Sequence, residues 1–319
     1  MSSLSRRVKI VEVGPRDGLQ NETEPISTKA KFAFIQALAE SGLQEIEATS
    51  FVHPKAIPQL ADADTLASRL EKIPGVIFSA LVPNQKGLER ALQAGIKKIA
   101  VFTAASETFN QKNIRMSIET SLKEFEKVVT QALKAKLTVR GYISTAFVCP
   151  YEGDIPREKV LDVAEALLQI GVEEVSLGDT IGAASPRDVQ ETVGFILKKI
   201  PAHKLALHFH DTYGTALANT YAAMELGIST FDTSAGGLGG CPYALGAAGN
   251  LGTEDLVYML NRMRVETGVN LHKIFQASSL VSAELKRDLQ SRQWQRLKAQ
   301  SADDNPSAVN RKSLFKEEP

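Results

Sequence analysis

The chain has 319 residues, 43 % of them apolar, and its 37 basic side chains balance 37 acidic ones to give a net charge of zero. That length allows one large domain or two ordinary ones with a sizeable core, and the charge balance argues against nucleic acid as the main partner, because phosphate-backbone binding needs a basic excess. Two cysteines, Cys149 and Cys241, make no disulfide framework, and no run approaches the roughly 18 apolar residues of a membrane helix, so a cytoplasmic protein without membrane association is expected.

The first segment, "MSSLSRRVKIVEV", carries two arginines but no apolar signal-peptide core. From there short β-branched runs alternate with amphipathic ones. The predicted strands are "VKIVEV" (8–13), "QEIEATS" (44–50), "VIFSALV" (76–82), "KKIAVFT" (97–103), "VRGYIST" (139–145), "EVSLGDT" (174–180), "KLALHFH" (204–210) and "TFDTSA" (230–235). Helical stretches such as "STKAKFAFIQALAES" and "IPREKVLDVAEALLQI" lie between them. Strict β-then-α alternation implies a parallel sheet, and eight units favour a closed (β/α)8 TIM barrel over an open sheet. A recurring junction supports this. "AESGLQEIE", "LQAGIKKIA", "LQIGVEEVS" and "MELGISTFD" set Gly42, Gly95, Gly171 and Gly227 where a helix end needs a left-handed residue.

After the eighth strand comes a Gly-rich loop, "GGLGGCPYALGAAGNLG" (236–252), and then a helix with Thr253 as the expected N-cap. A C-terminal helical segment, about 271–299, completes a single domain over 1–300. The polar remainder, 301–319, is expected to be disordered.

Candidate site residues follow the same order. Asp17 stands with Arg16 directly after the first strand, a position that reads equally as a surface salt bridge. Glu45, Glu47 and Thr49 share one face of the second strand, with Glu47 late in it; an acid inside a barrel is costly unless paired, so Arg16 or a metal-bound water is its expected partner. Asp179 is a weaker case at the end of the sixth. In the seventh, Leu205, Leu207 and Phe209 form one apolar face, so Ala206, His208 and His210 point into the barrel at the end that carries active sites in this fold. Two neighbouring inward imidazoles suit chelation; the purely structural alternative is a hydrogen-bonded pair. A divalent ion wants further oxygen ligands. When the barrel closes, Asp17 lies near both histidines, and Asn250 can add a neutral carbonyl. The 236–252 loop lacks G-x-G-x-x-G spacing, so a dinucleotide site is not expected. Cys241 within it reads either as a buried small residue or as a proton donor over the barrel mouth. Cys149 reads as structural.

Four stretches together, "VGPRDGLQNE", "VSLGDTIG", "HFHDTYG" and "GGLGGCPYALGAAGNLGTEDLVYML", resemble the 3-hydroxy-3-methylglutaryl-CoA lyase family, over about Val8 to Leu285. The resemblance implies a carbon–carbon lyase that cleaves 3-hydroxy-3-methylglutaryl-CoA to acetyl-CoA and acetoacetate, a step of leucine breakdown and ketone-body formation. It implies Asp17, His208, His210 and Asn250 as ligands of Mg²⁺ or Mn²⁺, Arg16 as the substrate-binding arginine, Cys241 as the catalytic cysteine and Glu47 as the supporting acid. Gln20 and Asp179 are expected to contact the substrate, an acyl-CoA, and a homodimer is expected. Alternatives are a related lyase or Claisen-type synthase on another hydroxyacyl-CoA, and a non-catalytic acyl-CoA-binding barrel. The sequence departs from the family at Ala235–Gly236, where an extra glycine is expected to loosen the loop that carries Cys241.

Overall fold

The computed structural model describes residues 4–240 and 249–303. Its strands are β1 (Lys9–Glu12), β2 (Glu45–Ser50), β3 (Ile77–Leu81), β4 (Lys98–Ala104), β5 (Thr138–Ser144), β6 (Val148–Cys149), β7 (Gly153–Asp154), β8 (Glu174–Asp179), β9 (Leu205–Phe209) and β10 (Thr230–Thr233). All but β6 and β7 run parallel and close into a barrel in the order β1-β10-β9-β8-β5-β4-β3-β2. The fold is the expected TIM barrel. β6 and β7 form a small antiparallel ribbon in the β5 loop, which alternation alone did not reveal.

The helices are α1 (Thr28–Glu40), α2 (Ala63–Leu70), α3 (Gln85–Gln93), α4 (Glu107–Ile114), α5 (Ile118–Lys134), α6 (Arg157–Gln169), α7 (Pro186–Ile196), α8 (Ala216–Glu225), α9 (Thr253–Arg262), α10 (Leu271–Leu285) and α11 (Arg292–Asp303). Outward strand residues such as Val175, Leu177, Leu205, Leu207, Phe209 and Phe231 bury against this helical shell. Burial of that kind, at about 25 cal/mol per Å² of apolar surface, is the main driving force for the fold. Ser27, Asn84, Ser106, Ser117 and Ser185 cap α1, α3, α4, α5 and α7. Gly42, Gly95, Gly171 and Gly227 all have positive φ, as the recurring junction requires.

Three expectations change. Thr253 is the first residue of α9, and the N-cap is Gly252. The Thr253 hydroxyl is used elsewhere: it bonds Glu12 Oε2 at 2.6 Å and lies 2.7 Å from the Thr233 hydroxyl. The C-terminal segment is two helices, because Lys286 adopts a left-handed conformation (φ 54°) that ends α10. The second, α11, runs to Asp303, three residues past the expected domain end. His210 lies one residue beyond β9, because the chain leaves the sheet there to bridge antiparallel to Asn250.

Candidate active site and metal centre

β1 ends at Glu12, and the chain then makes one wide turn over Gly14–Gly18. The amides of Arg16, Asp17 and Gly18 all bond the Val13 carbonyl, at 3.1, 2.7 and 3.3 Å. This turn folds Arg16 and Asp17 back over the barrel mouth, where both are buried. Arg16 is therefore not a surface residue. Its Nε donates to Glu47 Oε1 and its NH1 to Asp17 Oδ1, as expected for Glu47. The Tyr142 hydroxyl donates to the other Glu47 oxygen at 2.6 Å. Glu45, on the same face of β2 but deeper, meets Lys9 and Lys98 at 2.7 Å each. One strand face thus carries two acids with different partners.

Asp17 comes to the histidines as ring closure requires. Asp17 Oδ2 lies 3.9 Å from His208 Nε2 and 4.0 Å from His210 Nε2, and the two imidazole nitrogens are 3.2 Å apart. Among the described residues these three form the group able to hold a metal ion. Asn250 Nδ2 donates to Asp17 Oδ2 at 2.9 Å. Its Oδ1 is buried without a hydrogen-bond partner among the described residues. Two imidazoles, a carboxylate and, on the asparagine that bonds this carboxylate, an orphan amide oxygen make a donor set that fits a divalent cation.

Electrostatics support this. Burial raises the Asp17 carboxyl, but Arg16, the two imidazoles and the Asn250 amide outweigh it and hold it at about 2. Burial and the neighbouring His208 push His210 down to about 4. At neutral pH the site presents a carboxylate and a neutral imidazole, the protonation states that metal binding needs.

Arg16, Asp17, His208 and His210 line a cavity of about 700 Å³ at the C-terminal ends of the strands, together with Gln20, Tyr142 and Ser176. Gln20 Nε2 donates to Asp17 Oδ1 at 2.9 Å, so it reaches the site. Asp179 does not. It shares the outward parity of Val175 and Leu177, and its two oxygens accept from the amides of Ala183 and Ala184 at 3.0 and 3.1 Å. Burial pushes it up to about 7; its place is in the turn that leads to α7. Cys241 lies outside the described residues. Gly240, its neighbour, lines the cavity. Gly236 does not loosen the start of that loop. It sits at φ 70°, its amide donates to Glu254 Oε2 at 2.7 Å, and its carbonyl accepts from Gln290 and Ser291 at 3.1 and 3.0 Å. Cys149 is buried with Sγ 3.0 Å from the Ser106 hydroxyl, consistent with a packing role.

Sequence reasoning passed over Asp232, Arg140 and Glu12. Asp232 pairs in register with His208, and its Oδ2 stands 3.3 Å from His208 Nδ1. Burial raises its carboxyl, but Arg140 dominates and holds it at about 2. Strand parity in "TFDTSA" was the available signal. Glu12 points outward and is fully buried, accepting from the amides of Gly14 at 2.8 Å and Ala235 at 2.9 Å.

A family model described as HMGL-like matches residues 7–281. The chain is 51 % identical over 294 residues to a hydroxymethylglutaryl-CoA lyase of Bacillus subtilis (strain 168), covering 92 % of this chain and 98 % of the relative. A crystal structure of a Bacillus subtilis HMG-CoA lyase superposes with a TM-score of 0.91 at 51 % identity, over 92 % of this chain and 99 % of that one. An HMG-CoA lyase from Acinetobacter baumannii, solved with coenzyme A and 3-methylmalate, superposes at 0.86 and 39 % identity, over 92 % and 95 %.

Proposed function

This chain belongs to the HMGL-like family, and on that premise we propose that it is a carbon–carbon lyase that cleaves 3-hydroxy-3-methylglutaryl-CoA to acetyl-CoA and acetoacetate. The observation that carries the reading is the convergence of Asp17, His208 and His210 beside the buried guanidinium of Arg16 in one cavity. The substrate is an acyl-CoA, as the coenzyme A complex of the Acinetobacter relative supports.

Asp17, His208, His210 and Asn250 would hold Mg²⁺ or Mn²⁺. Bound there, the ion would supply Lewis acidity that lowers the pKa of a substrate hydroxyl. Asp17, or a neutral histidine of the same shell, takes the proton of the C3 hydroxyl. The C2–C3 bond then breaks. Its electron pair passes to C2 and the thioester as an enolate, while C3 becomes the ketone of acetoacetate. Arg16 stabilises the enolate oxygen. Two of its nitrogens are committed to Glu47 and Asp17, so the guanidinium is held in place with N–H donors left for the substrate. Glu47 acts through Arg16. Gln20 contacts substrate from the short helical turn that follows, Leu19–Asn21. Cys241, which follows the cavity-lining Gly240 in the sequence, delivers the proton to C2. The resemblance also carries a homodimer, checked by light scattering. Among the described residues no helix is long and apolar enough to cross a membrane, and we propose a cytoplasmic location.

The deciding assay measures acetoacetate released from 3-hydroxy-3-methylglutaryl-CoA with Mg²⁺ and again with EDTA. Release that EDTA abolishes supports reaction, substrate and cofactor together. Absence of release with Mg²⁺ and with Mn²⁺ overturns the substrate, and release that survives EDTA overturns the metal role.

A further inference from the structure

Arg140 has no part in the chemistry above, yet it is among the largest fully buried side chains, 1 % exposed. It lies on β5, two residues before Tyr142 and on the same inward face. Its guanidinium meets three partners in three directions. NH2 is 2.7 Å from Asp232 Oδ1, Nε is 2.8 Å from Glu174 Oε1, and NH1 donates to the Tyr142 hydroxyl at 3.1 Å.

Two of these contacts continue to the site. Through Asp232 the chain of contacts reaches His208, whose Nδ1 is 3.3 Å from Asp232 Oδ2. The Ser176 hydroxyl donates to that same oxygen at 2.8 Å and fixes the carboxylate plane. Through Tyr142 the contacts reach Glu47 at 2.6 Å and so Arg16. The Tyr142 ring also lies under both guanidinium groups, 5.5 Å from Arg16 and 5.1 Å from Arg140. Neutralising a buried charge would need one carboxylate. A planar fork with fixed donor directions, spanning β8, β10 and its own strand, does more: it sets where its partners stand.

We propose that Arg140 is a positioning residue that sets the metal ligand His208 through Asp232 and the substrate-facing Arg16 through Tyr142 and Glu47, so that one buried guanidinium fixes the metal centre and the charge-stabilising group relative to each other. The inference rests on the metal and Arg16 assignments proposed above. Lysine at this position keeps the charge but not the fork, because a single ammonium cannot satisfy the three separated partners.

The test uses the full chain and the variants Arg140→Lys, Asp232→Asn and Tyr142→Phe. Mn²⁺ affinity is read from the free-ion EPR signal, kcat and KM from acetoacetate release, and folding from the thermal midpoint. Changing an outer partner of a metal ligand weakens affinity by about 10- to 100-fold. Asp232→Asn should weaken Mn²⁺ binding by that amount, and Tyr142→Phe should lower kcat about tenfold with Mn²⁺ affinity unchanged. Arg140→Lys should do both. The kcat losses of Arg140→Lys and Tyr142→Phe should combine to less than their product, because they cut one path. If Arg140→Lys does not fold, the charge-balanced pair Arg140→Gln with Glu174→Gln supplies the same readouts. A folded Arg140 variant with wild-type Mn²⁺ affinity, or fully multiplicative kcat losses, overturns the inference alone. A wild-type protein that binds no Mn²⁺ overturns the metal assignment and the inference with it.

Discussion

Asn250 Nδ2 donates to Asp17 Oδ2 at 2.9 Å, although the two residues stand 233 positions apart. The contact exists because β10 closes the barrel onto β1, in register from Lys9 with Thr230 to Glu12 with Thr233. The chain then bridges from Asn250 back to His210. Asn250 is thus held against the Asp17 carboxylate and bridged by its backbone to His210, with its side-chain carbonyl oxygen orphaned among the described residues. Asn250→Ala should weaken Mn²⁺ binding about tenfold or more, as losing a ligand or its direct partner does, with little change in thermal stability in EDTA. Calorimetric Mn²⁺ titration checks this, and unchanged affinity would remove Asn250 from the ligand set.

The Cys241 assignment makes a separate prediction. A proton donor acts after the metal ligands are in place, so Cys241→Ala should lower kcat by about 10²- to 10⁴-fold, the usual worth of general acid catalysis. Mn²⁺ affinity should be unaltered. A Cys241→Ala variant with full turnover would show that another group protonates the enolate.

Much of this site was legible because a strand repeats every two residues. That period put His208 and His210 on one inward face and set Glu47 inside the barrel, where the cost of an unpaired buried acid named Arg16 or a metal-bound water as its partner. The same rule, applied to Asp179, sets it with Val175 and Leu177 on the outer face, where it bonds the α7 loop; its chain position late in a strand was the weaker guide. Asp232 and Arg140 were passed over for a different reason. Neither lies in a motif, and their meaning comes from register: Asp232 beside His208, and Arg140 in range of three carboxylate-bearing strands at once. Gly236 looked like added looseness in the one-dimensional reading. Its neighbours Glu254, Gln290 and Ser291 come from α9 and the segment before α11, and these make it a fixed point.

Glu12 predicts a pH dependence of stability. Burial pushes its carboxyl up to about 8, against hydrogen bonds from Thr253, Ala235 and Gly14 that lower it, with Glu254 as the nearby acid. Glu254 is itself raised by burial, to about 7. An unfolded glutamate titrates near 4.3. Between roughly pH 4.5 and 8 the native state therefore binds protons that the unfolded state has lost. Stability should fall as pH rises through that window, by several kcal/mol at most. Asp17 and Asp232, both held at about 2, act in the opposite sense below about pH 4, and His210, pushed down to about 4, does so up to about pH 6.5, a smaller effect than that of the two raised carboxyls together. Urea unfolding in EDTA at pH 5.5 and pH 8 tests this, since chelation removes metal-linked protons. Glu12→Gln should flatten the slope; a midpoint that rises with pH in the wild type would refute the assignment.

The junction glycines look equivalent in sequence and are not equivalent in space. Gly42 and Gly227 both follow a helix at positive φ, +100° and +91°. A Cβ at Gly227 would meet nothing within 4 Å, whereas one at Gly42 would run into the backbone carbonyl of Gly268. That carbonyl lies in the segment leading into α10, which packs on α1, and main chain cannot rotate aside as a side chain can. Gly227→Ala should cost about 1–2 kcal/mol, the price of a left-handed backbone alone. Gly42→Ala should cost that and a displacement of the α1–α10 contact, about 3 kcal/mol or more in total. Gly171→Ala should fall between, because its Cβ would meet Leu133 Cδ1 at 2.7 Å, the end of a side chain that is partly exposed and can turn. Urea midpoints of the three variants measure the order. Equal losses would mean that backbone conformation alone decides these positions and that the α1–α10 contact yields to a methyl group.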